Sequence, residues 1–334
     1  MCGVTAHSRS DLVLLALPLL LACRAAPAPQ GDSQKPLIVS DRGGAVRVYE
    51  IDDAAGLARL IGSPRADDAS YQDSMPARLP DGRVLLVSDR GGRPAIHLVS
   101  PDEAGANPLL PPSPAADSDP APLGRDRVLF SRAESAGGRD LYSVRLDGTG
   151  LLRLTRHPGD DAAPCATPDG RTVVFVSDRD EAPRLYRLSP EAADPESTVA
   201  PVWPPLPRSS APMDPQDAGQ ADGAPACLPG GSIAFSRGPR GGPTYIYIAN
   251  LASGRNGVRQ LTDPLVLPHG AAEPVPLVNG GLLITGGPVP LPEEGGGGQR
   301  FAVYTITTGG YNLTRVTREG AGYNDFARRL QPPR

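Results

Sequence analysis

Long apolar stretches are scarce in this 334-residue chain. The run Leu12–Ala22 holds eleven residues, too few to cross a bilayer as a mature helix. Beyond it no segment repeats its apolar residues every 3.6 positions, so an all-helical fold is excluded. The four cysteines form no C-x-x-C pair, which removes a zinc ribbon and a dithiol redox centre. Aromatic residues make up only 4% of the chain, poor stock for a carbohydrate-binding module. A net charge of −4 without a basic stripe argues against nucleic-acid binding. Nucleophile elbows, helical zinc motifs, phosphate loops and calcium loops are all missing. Past the leader only His97, His157 and His269 remain. His97 reads as a packed strand residue, and the other two would bind metal only if acidic partners converged on them. No catalytic residue, metal or cofactor is therefore expected.

What the chain does have is proline and glycine, 40 and 39 residues, placed in phase. The clearest unit runs from Asp160 to Leu188: a short strand beginning around Pro164, a Pro168-Asp169-Gly170 turn, the strand Val173–Val176, the polar turn Ser177-Asp178-Arg179, and a strand with Leu185-Tyr186. Six copies are found. Second strands end at Val39-Ser40-Asp41-Arg42, Val87-Ser88-Asp89-Arg90, Phe130-Ser131-Arg132, Val176-Ser177-Asp178-Arg179, Phe235-Ser236-Arg237 and, weakest, Ile284-Thr285. Third strands carry Tyr49, His97, Tyr142, Tyr186, Tyr247 and Tyr304 at one register. First strands begin at Pro76, Pro120, Pro164, Pro225 and Pro274; the sixth is supplied by the C-terminal stretch Tyr323–Leu330. The expectation is an all-β, six-bladed β-propeller of four-stranded antiparallel blades. One blade is closed by strands from both termini, which leaves no open sheet edge.

The leader 1–22 reads as a lipoprotein signal peptide, because Leu20-Leu21-Ala22-Cys23 resembles the bacterial lipobox with Cys23 as the lipidated residue. Residues 23–35 form a flexible linker, 36–330 a single propeller and 331–334 a tail. Cys165 and Cys227 lie one and two residues after the prolines of neighbouring first strands, hence on opposite faces. They read as two buried small hydrophobes rather than a bonded pair. Trp203, in the proline-rich insertion 190–222, reads as capping the core from an outer strand.

The stretch Arg153-Leu154-Thr155 through Asp160-Asp161, Pro164, Pro168-Asp169-Gly170-Arg171 and Ser177-Asp178-Arg179 resembles the repeat of TolB-like β-propellers, and the resemblance in phase extends over nearly all of the mature chain. It implies a non-enzymatic, periplasm-facing scaffold that binds a protein or peptide partner in the cell envelope. Such a scaffold would be lipid-anchored and monomeric, with an outer-membrane address by analogy with lipoproteins whose residue after the cysteine is not Asp. The alternatives weighed are a propeller-fold enzyme acting on a carbohydrate in a lyase-like way and a carbohydrate-binding module. Loops entering the first strands would open at one mouth of the channel, and an acidic rim of Asp68, Asp73, Asp117, Asp160, Asp161, Asp217, Asp222 and Asp325 is expected there to attract a cation or a basic peptide. For each Asp three residues before a proline, the competing reading is that it satisfies backbone N–H groups of its own turn.

Overall fold

The structure, a computed structural model, describes residues 35–52, 57–100, 105–134, 137–180, 182–203, 220–254, 257–290, 299–317 and 325–327. The leader, Cys23, Asp217, the 331–334 tail and nearly all of the linker lie outside these residues.

Twenty-four strands form six four-stranded antiparallel sheets. From the axis outward, blade 1 comprises Asp325–Phe326, Leu37–Ser40, Arg47–Asp52 and Leu57–Ile61. Blade 2 comprises Asp73–Arg78, Val84–Ser88, Ala95–Val99 and Asn107–Pro108. Blade 3 has Ala116–Leu123, Arg127–Ala133, Arg139–Arg145 and Leu152–Arg153. Blade 4 has Asp161–Ala166, Val173–Ser177, Arg184–Leu188 and Ala200–Pro201. Blade 5 has Gln220–Cys227, Ser232–Pro239, Tyr245–Asn250 and Arg259–Gln260. Blade 6 has Ala271–Pro276, Gly281–Pro290, Gln299–Thr307 and Thr314–Arg315. The expected closure is present: Val39 pairs with Phe326 and Ser40 with Asp325.

The core is not one mass but six sandwiches, one between each pair of neighbouring blades. Successive residues of a strand point to opposite sheet faces, so Leu85 and Val87 pack toward blade 3 while Val84 and Leu86 pack toward blade 1. Burial on both faces explains why the second strands are unbroken apolar runs rather than alternating ones. The third-strand tyrosine register holds in full: Tyr49, His97, Tyr142, Tyr186, Tyr247 and Tyr304 all sit opposite a second-strand apolar residue, Ile38, Leu86, Phe130, Phe175, Phe235 and Ile284 respectively. His97 is buried, with Nδ1 3.0 Å from the Ala95 carbonyl.

Outer strands of blades 2 to 6 are short, two residues each. In blades 3, 5 and 6 a threonine side chain continues the pairing. Thr155, Thr262 and Thr317 each accept at Oγ1 the backbone N–H of the third strand, from Leu141, Ile246 and Val303, at 2.9 to 3.1 Å. Trp203 closes the outer end of blade 4 against Phe235, ring centroids 5.3 Å apart.

One expectation fails. Cys165 and Cys227 form a disulfide, Cα atoms 5.6 Å apart. Placement on opposite faces of their own sheets does not separate them, because in a ring of stacked sheets the forward face of blade 4 meets the backward face of blade 5. Cys165 sits opposite Val174 and Cys227 opposite Ile233, and both of those residues lie in the sandwich between the two blades.

Candidate functional site: the face of the inner-strand loops

Loops entering the inner strands and turns joining second to third strands emerge on one face, here called the top. The Ser-Asp-Arg turn organises it. In blade 2, Asp89 accepts the N–H of Gln72 at 2.6 Å, Ser88 Oγ accepts Arg90 Nε at 2.8 Å, and Arg90 Nη2 donates to Asp73 at 2.8 Å. Blade 4 repeats the arrangement, with Asp178 receiving the N–H of Asp160 at 2.8 Å and Arg179 donating to Asp161 at 2.9 Å. In blade 1, Arg42 donates to Asp325 at 2.9 Å.

Blades 3 and 5 carry Phe-Ser-Arg instead, with the arginine one residue earlier. There Arg132 and Arg237 stand directly across the ladder from Asp117 and Asp222, each with an Nε–Oδ1 distance of 2.6 Å. The guanidinium planes also lie over the blade's aromatic residues: Arg132 against Phe130 and Tyr142, Arg237 against Phe235, Tyr247 and Trp203, all within 5.8 Å.

Five of the eight proposed rim carboxylates are thus buried partners of an arginine: Asp73, Asp117, Asp161, Asp222 and Asp325, none more than 4% exposed. This differs from both sequence readings, since the principal partner is neither solvent nor the turn's own N–H groups. The reason is distance along the chain. The arginine lies fifteen to eighteen residues from its aspartate in blades 2 to 5 and at the opposite terminus in blade 1, beyond any local motif. Burial raises the carboxyls of Asp117, Asp161 and Asp325 above the ordinary range against the pull of their arginines and hydroxyl donors.

The remaining rim positions differ. Asp68 is half-buried, and hydrogen bonds from Ser70 hold its carboxyl below the ordinary range. Asp160 is partly exposed and receives both the backbone N–H of Arg139 at 2.7 Å and its Nη2 at 3.1 Å. Asp68 belongs to a loop, residues 62–72, pinned from below by the wholly buried Arg47. That guanidinium donates to the carbonyls of Val46, Arg65, Asp68 and Tyr71, and it lies 4.0 Å from the centre of the Tyr71 ring, which Arg90 also approaches at 4.7 Å. Arg47 carries no sequence signal of its own, because it opens the strand Arg47–Asp52, in which Glu50 and Asp52 make another charged residue unremarkable.

The inner strands share a second feature. The residue before each inner-strand proline has a positive φ: Met75, Asp119, Ala163, Ala224 and Glu273, at 51°, 55°, 49°, 32° and 57°. Each sits at a register shift in its ladder, so a bulge recurs in five blades. Left-handed backbone is strained for a residue with a Cβ, and proline after it adds a further steric limit. The surrounding packing holds these bulges: all five side chains are buried, and the Asp119 N–H meets Met75 Sδ at 3.4 Å in the neighbouring blade.

Blade 6 breaks the pattern. Across from each other, where blades 3 and 5 have Asp and Arg, stand Ala271 and Gly286. Glu273 is engaged instead by Thr285, whose hydroxyl donates to it at 2.6 Å. Beside this pair opens a cleft of about 480 Å³ between blades 5 and 6, with His269 at its edge. His157, by contrast, is a turn residue, its Nδ1 accepting the N–H of Gly159 at 3.0 Å. Among the described residues no three His, Cys, Asp or Glu side chains are grouped as metal ligands.

No family model matches the chain. Over 47 residues it is 43% identical to the Tol-Pal system protein TolB of Bordetella pertussis, a match that spans 14% of this chain and 11% of that protein. Among solved structures it resembles TolB of Acinetobacter baumannii with a TM-score of 0.62 at 19% identity, over 87% of this chain and 65% of the other. It also resembles a Mycobacterium tuberculosis puromycin-hydrolyzing peptidase with a TM-score of 0.55 at 16% identity, over 82% of this chain and 41% of the other. At these identities the structural likeness speaks for the fold alone.

Proposed function

We propose that this TolB-like β-propeller is a non-enzymatic binding module of a bacterial cell envelope, to which a protein or peptide partner docks through the top face. The observation that carries this reading is the loop of residues 62–72: the buried Arg47 fixes its backbone at three carbonyls, those of Arg65, Asp68 and Tyr71, and the loop then offers Asp67 and the half-buried Asp68 to solvent. A pre-shaped loop loses little entropy on binding, which is what a docking surface needs. Of the other proposed rim residues Asp160 is also partly exposed. Together they would favour a basic segment of a partner.

Export is part of the proposal. The lipobox-like Leu20-Leu21-Ala22-Cys23 would give a lipidated Cys23, and the Cys165–Cys227 disulfide supports an oxidising compartment such as the periplasm. The anchored protein would face the periplasm from the outer membrane, as a monomer. The 47-residue match carries no role in a Tol-Pal system to this chain, and the hydrolase activity belongs to the peptidase neighbour alone.

The test is photo-crosslinking from position 69, between Asp68 and Ser70, in envelope membranes. One reproducible protein adduct that disappears in Asp68→Lys/Asp160→Lys, while the variant keeps its melting temperature, is the expected result. An adduct pattern unchanged by the double reversal would contradict docking through these carboxylates.

A further inference from the structure

The face opposite the top, here called the bottom, is where the inner strands end and where the chain enters the ring. Lys35 precedes the second strand of blade 1, Leu37–Ser40, and its carbonyl accepts Arg78 Nη2 at 3.2 Å from the last residue of the blade 2 inner strand. Twelve residues separate Cys23 from Pro36. They reach at most about 40 Å even when fully extended. A chain held at Cys23 is therefore tethered by its bottom face.

The bottom is not uniform. Its turns join inner to second strands and third to outer strands. In blades 2 to 4 these turns carry Asp81, Asp126, Asp147, Asp169 and Glu191. In blades 5 and 6 the corresponding stretches, 228–231, 251–258, 277–280 and 308–313, contain neither Asp nor Glu. The same sector puts large apolar side chains into solvent, Val278 at 71% and Tyr311 at 74% accessible. They occupy the two bottom turns of one blade, which lie two strand spacings or about 10 Å apart.

Both turns are fixed from within. Thr307 Oγ1 accepts the Tyr311 N–H at 3.1 Å and donates to the Tyr311 carbonyl at 2.9 Å. Arg259 of blade 5 donates to the carbonyls of Thr308 and Gly309 at 2.8 and 3.2 Å. In the other turn the Leu277 N–H donates to the Gly281 carbonyl at 2.9 Å, and Leu277 packs into the sandwich between blades 6 and 1. Val278 and Tyr311 are thus presented on preformed backbone.

We infer that the bottom of blades 5 and 6 lies against the bilayer that holds the lipid anchor, with Val278 and Tyr311 at headgroup level. The inference rests on the lipidated Cys23 proposed above. A tyrosine at that depth keeps its ring in apolar surroundings and its hydroxyl in water. Anionic headgroups repel carboxylates, so the acid-free sector is the part of the bottom that approaches them most readily. The acyl chains supply the affinity, and the surface selects which side of the ring lies down. The top face is then turned away from the membrane, open to a partner.

The test is tryptophan quenching with the acylated full mature chain in vesicles of phosphatidylethanolamine and phosphatidylglycerol containing a brominated phosphatidylcholine. Trp203, the single native tryptophan, is buried, so the parent serves as the blank. Tyr311→Trp and Val278→Trp are expected to lose emission to the brominated lipid, and Leu265→Trp, exposed at the top, to lose none. In Val278→Trp the further change Tyr311→Asp should restore emission, because the tether alone does not seat the sector. Equal quenching of Leu265→Trp, no quenching at 278 or 311, or quenching that survives Tyr311→Asp would each overturn the inference. A chain-to-chain crosslink from position 311 without quenching would place a second copy on the patch and overturn it as well. Acylation is read separately from the mass of the mature protein. If Cys23 carries no lipid, that earlier reading fails, and the same variants coupled through Cys23 to a maleimide lipid still decide whether this sector seats on a bilayer.

Discussion

Blades 5 and 6 are neighbours built on the same ladder, and they differ at one cross-strand pair. Blade 5 carries Asp222 opposite Arg237, with the guanidinium enclosed by Trp203, Phe235 and Tyr247; blade 6 carries Ala271 opposite Gly286, and the Tyr304 ring packs against that glycine. In the first the inner strand is tied to the second strand by a buried charge pair. In the second that tie is replaced by the hydroxyl of Thr285, which donates to Glu273 and accepts the N–H of Ala327 from blade 1. A repeat can therefore dispense with its ion pair provided both charges go together. The room released on the second strand is taken by the Tyr304 ring, which a Cβ on Gly286 would meet at 2.7 Å.

The comparison can be broken most severely by removing one charge in blade 5. Asp222→Ala leaves Arg237 without its carboxylate in a largely buried site, and a loss of about 3–5 kcal/mol is expected in urea unfolding. A loss under about 1 kcal/mol would mean the pair is incidental. Next is the disulfide joining blades 4 and 5, for which blade 6 has no counterpart among the described residues. Cys165→Ser/Cys227→Ser should cost about 2–4 kcal/mol, measured the same way, since the bridge closes a long segment of the unfolded chain.

The smallest effect concerns pH and uses blade 3. Because burial raises the Asp117 carboxyl, the folded protein holds that proton more tightly than the unfolded chain does. Its contribution is full below the ordinary value of 3.8 and is lost as pH rises through the folded value. Stability of the parent relative to Asp117→Asn should accordingly grow as pH falls toward 4, by about 1 kcal/mol or less. A difference that shrinks on acidification would show that Arg132 outweighs burial.

Much of the ring was legible in the sequence, because strand order, turn chemistry and apolar patterning are local properties. The tyrosine register, the Pro-Asp-Gly turns and the closure by Phe326 depend on residues a few positions apart or on the count of repeats. The pairing of Asp73 with Arg90 or Asp222 with Arg237 was not legible, because the arginine occupies two different offsets from the serine, Ser88-Asp89-Arg90 and Ser236-Arg237, and only the ladder shows they converge. The disulfide was misread for a related reason: face assignment within one sheet says nothing until neighbouring sheets are stacked. For blade 6 the signal was in the sequence. It was the weakest copy of the repeat, with Ala271 where an Asp precedes the proline by three, and that departure marks the missing ion pair.

The relation between the two blades is tested most directly by rebuilding the missing pair. A Cβ on Gly286 would meet the Tyr304 ring at 2.7 Å, so unfolding of Ala271→Asp, Gly286→Arg and the double variant, all in a Tyr304→Ala background, forms the thermodynamic cycle. Each single substitution should destabilise blade 6, and the double should recover stability, with a favourable coupling of about 1–3 kcal/mol. A double variant as unstable as the two singles summed would contradict the claim that blade 6 is the common ladder with its charge pair removed.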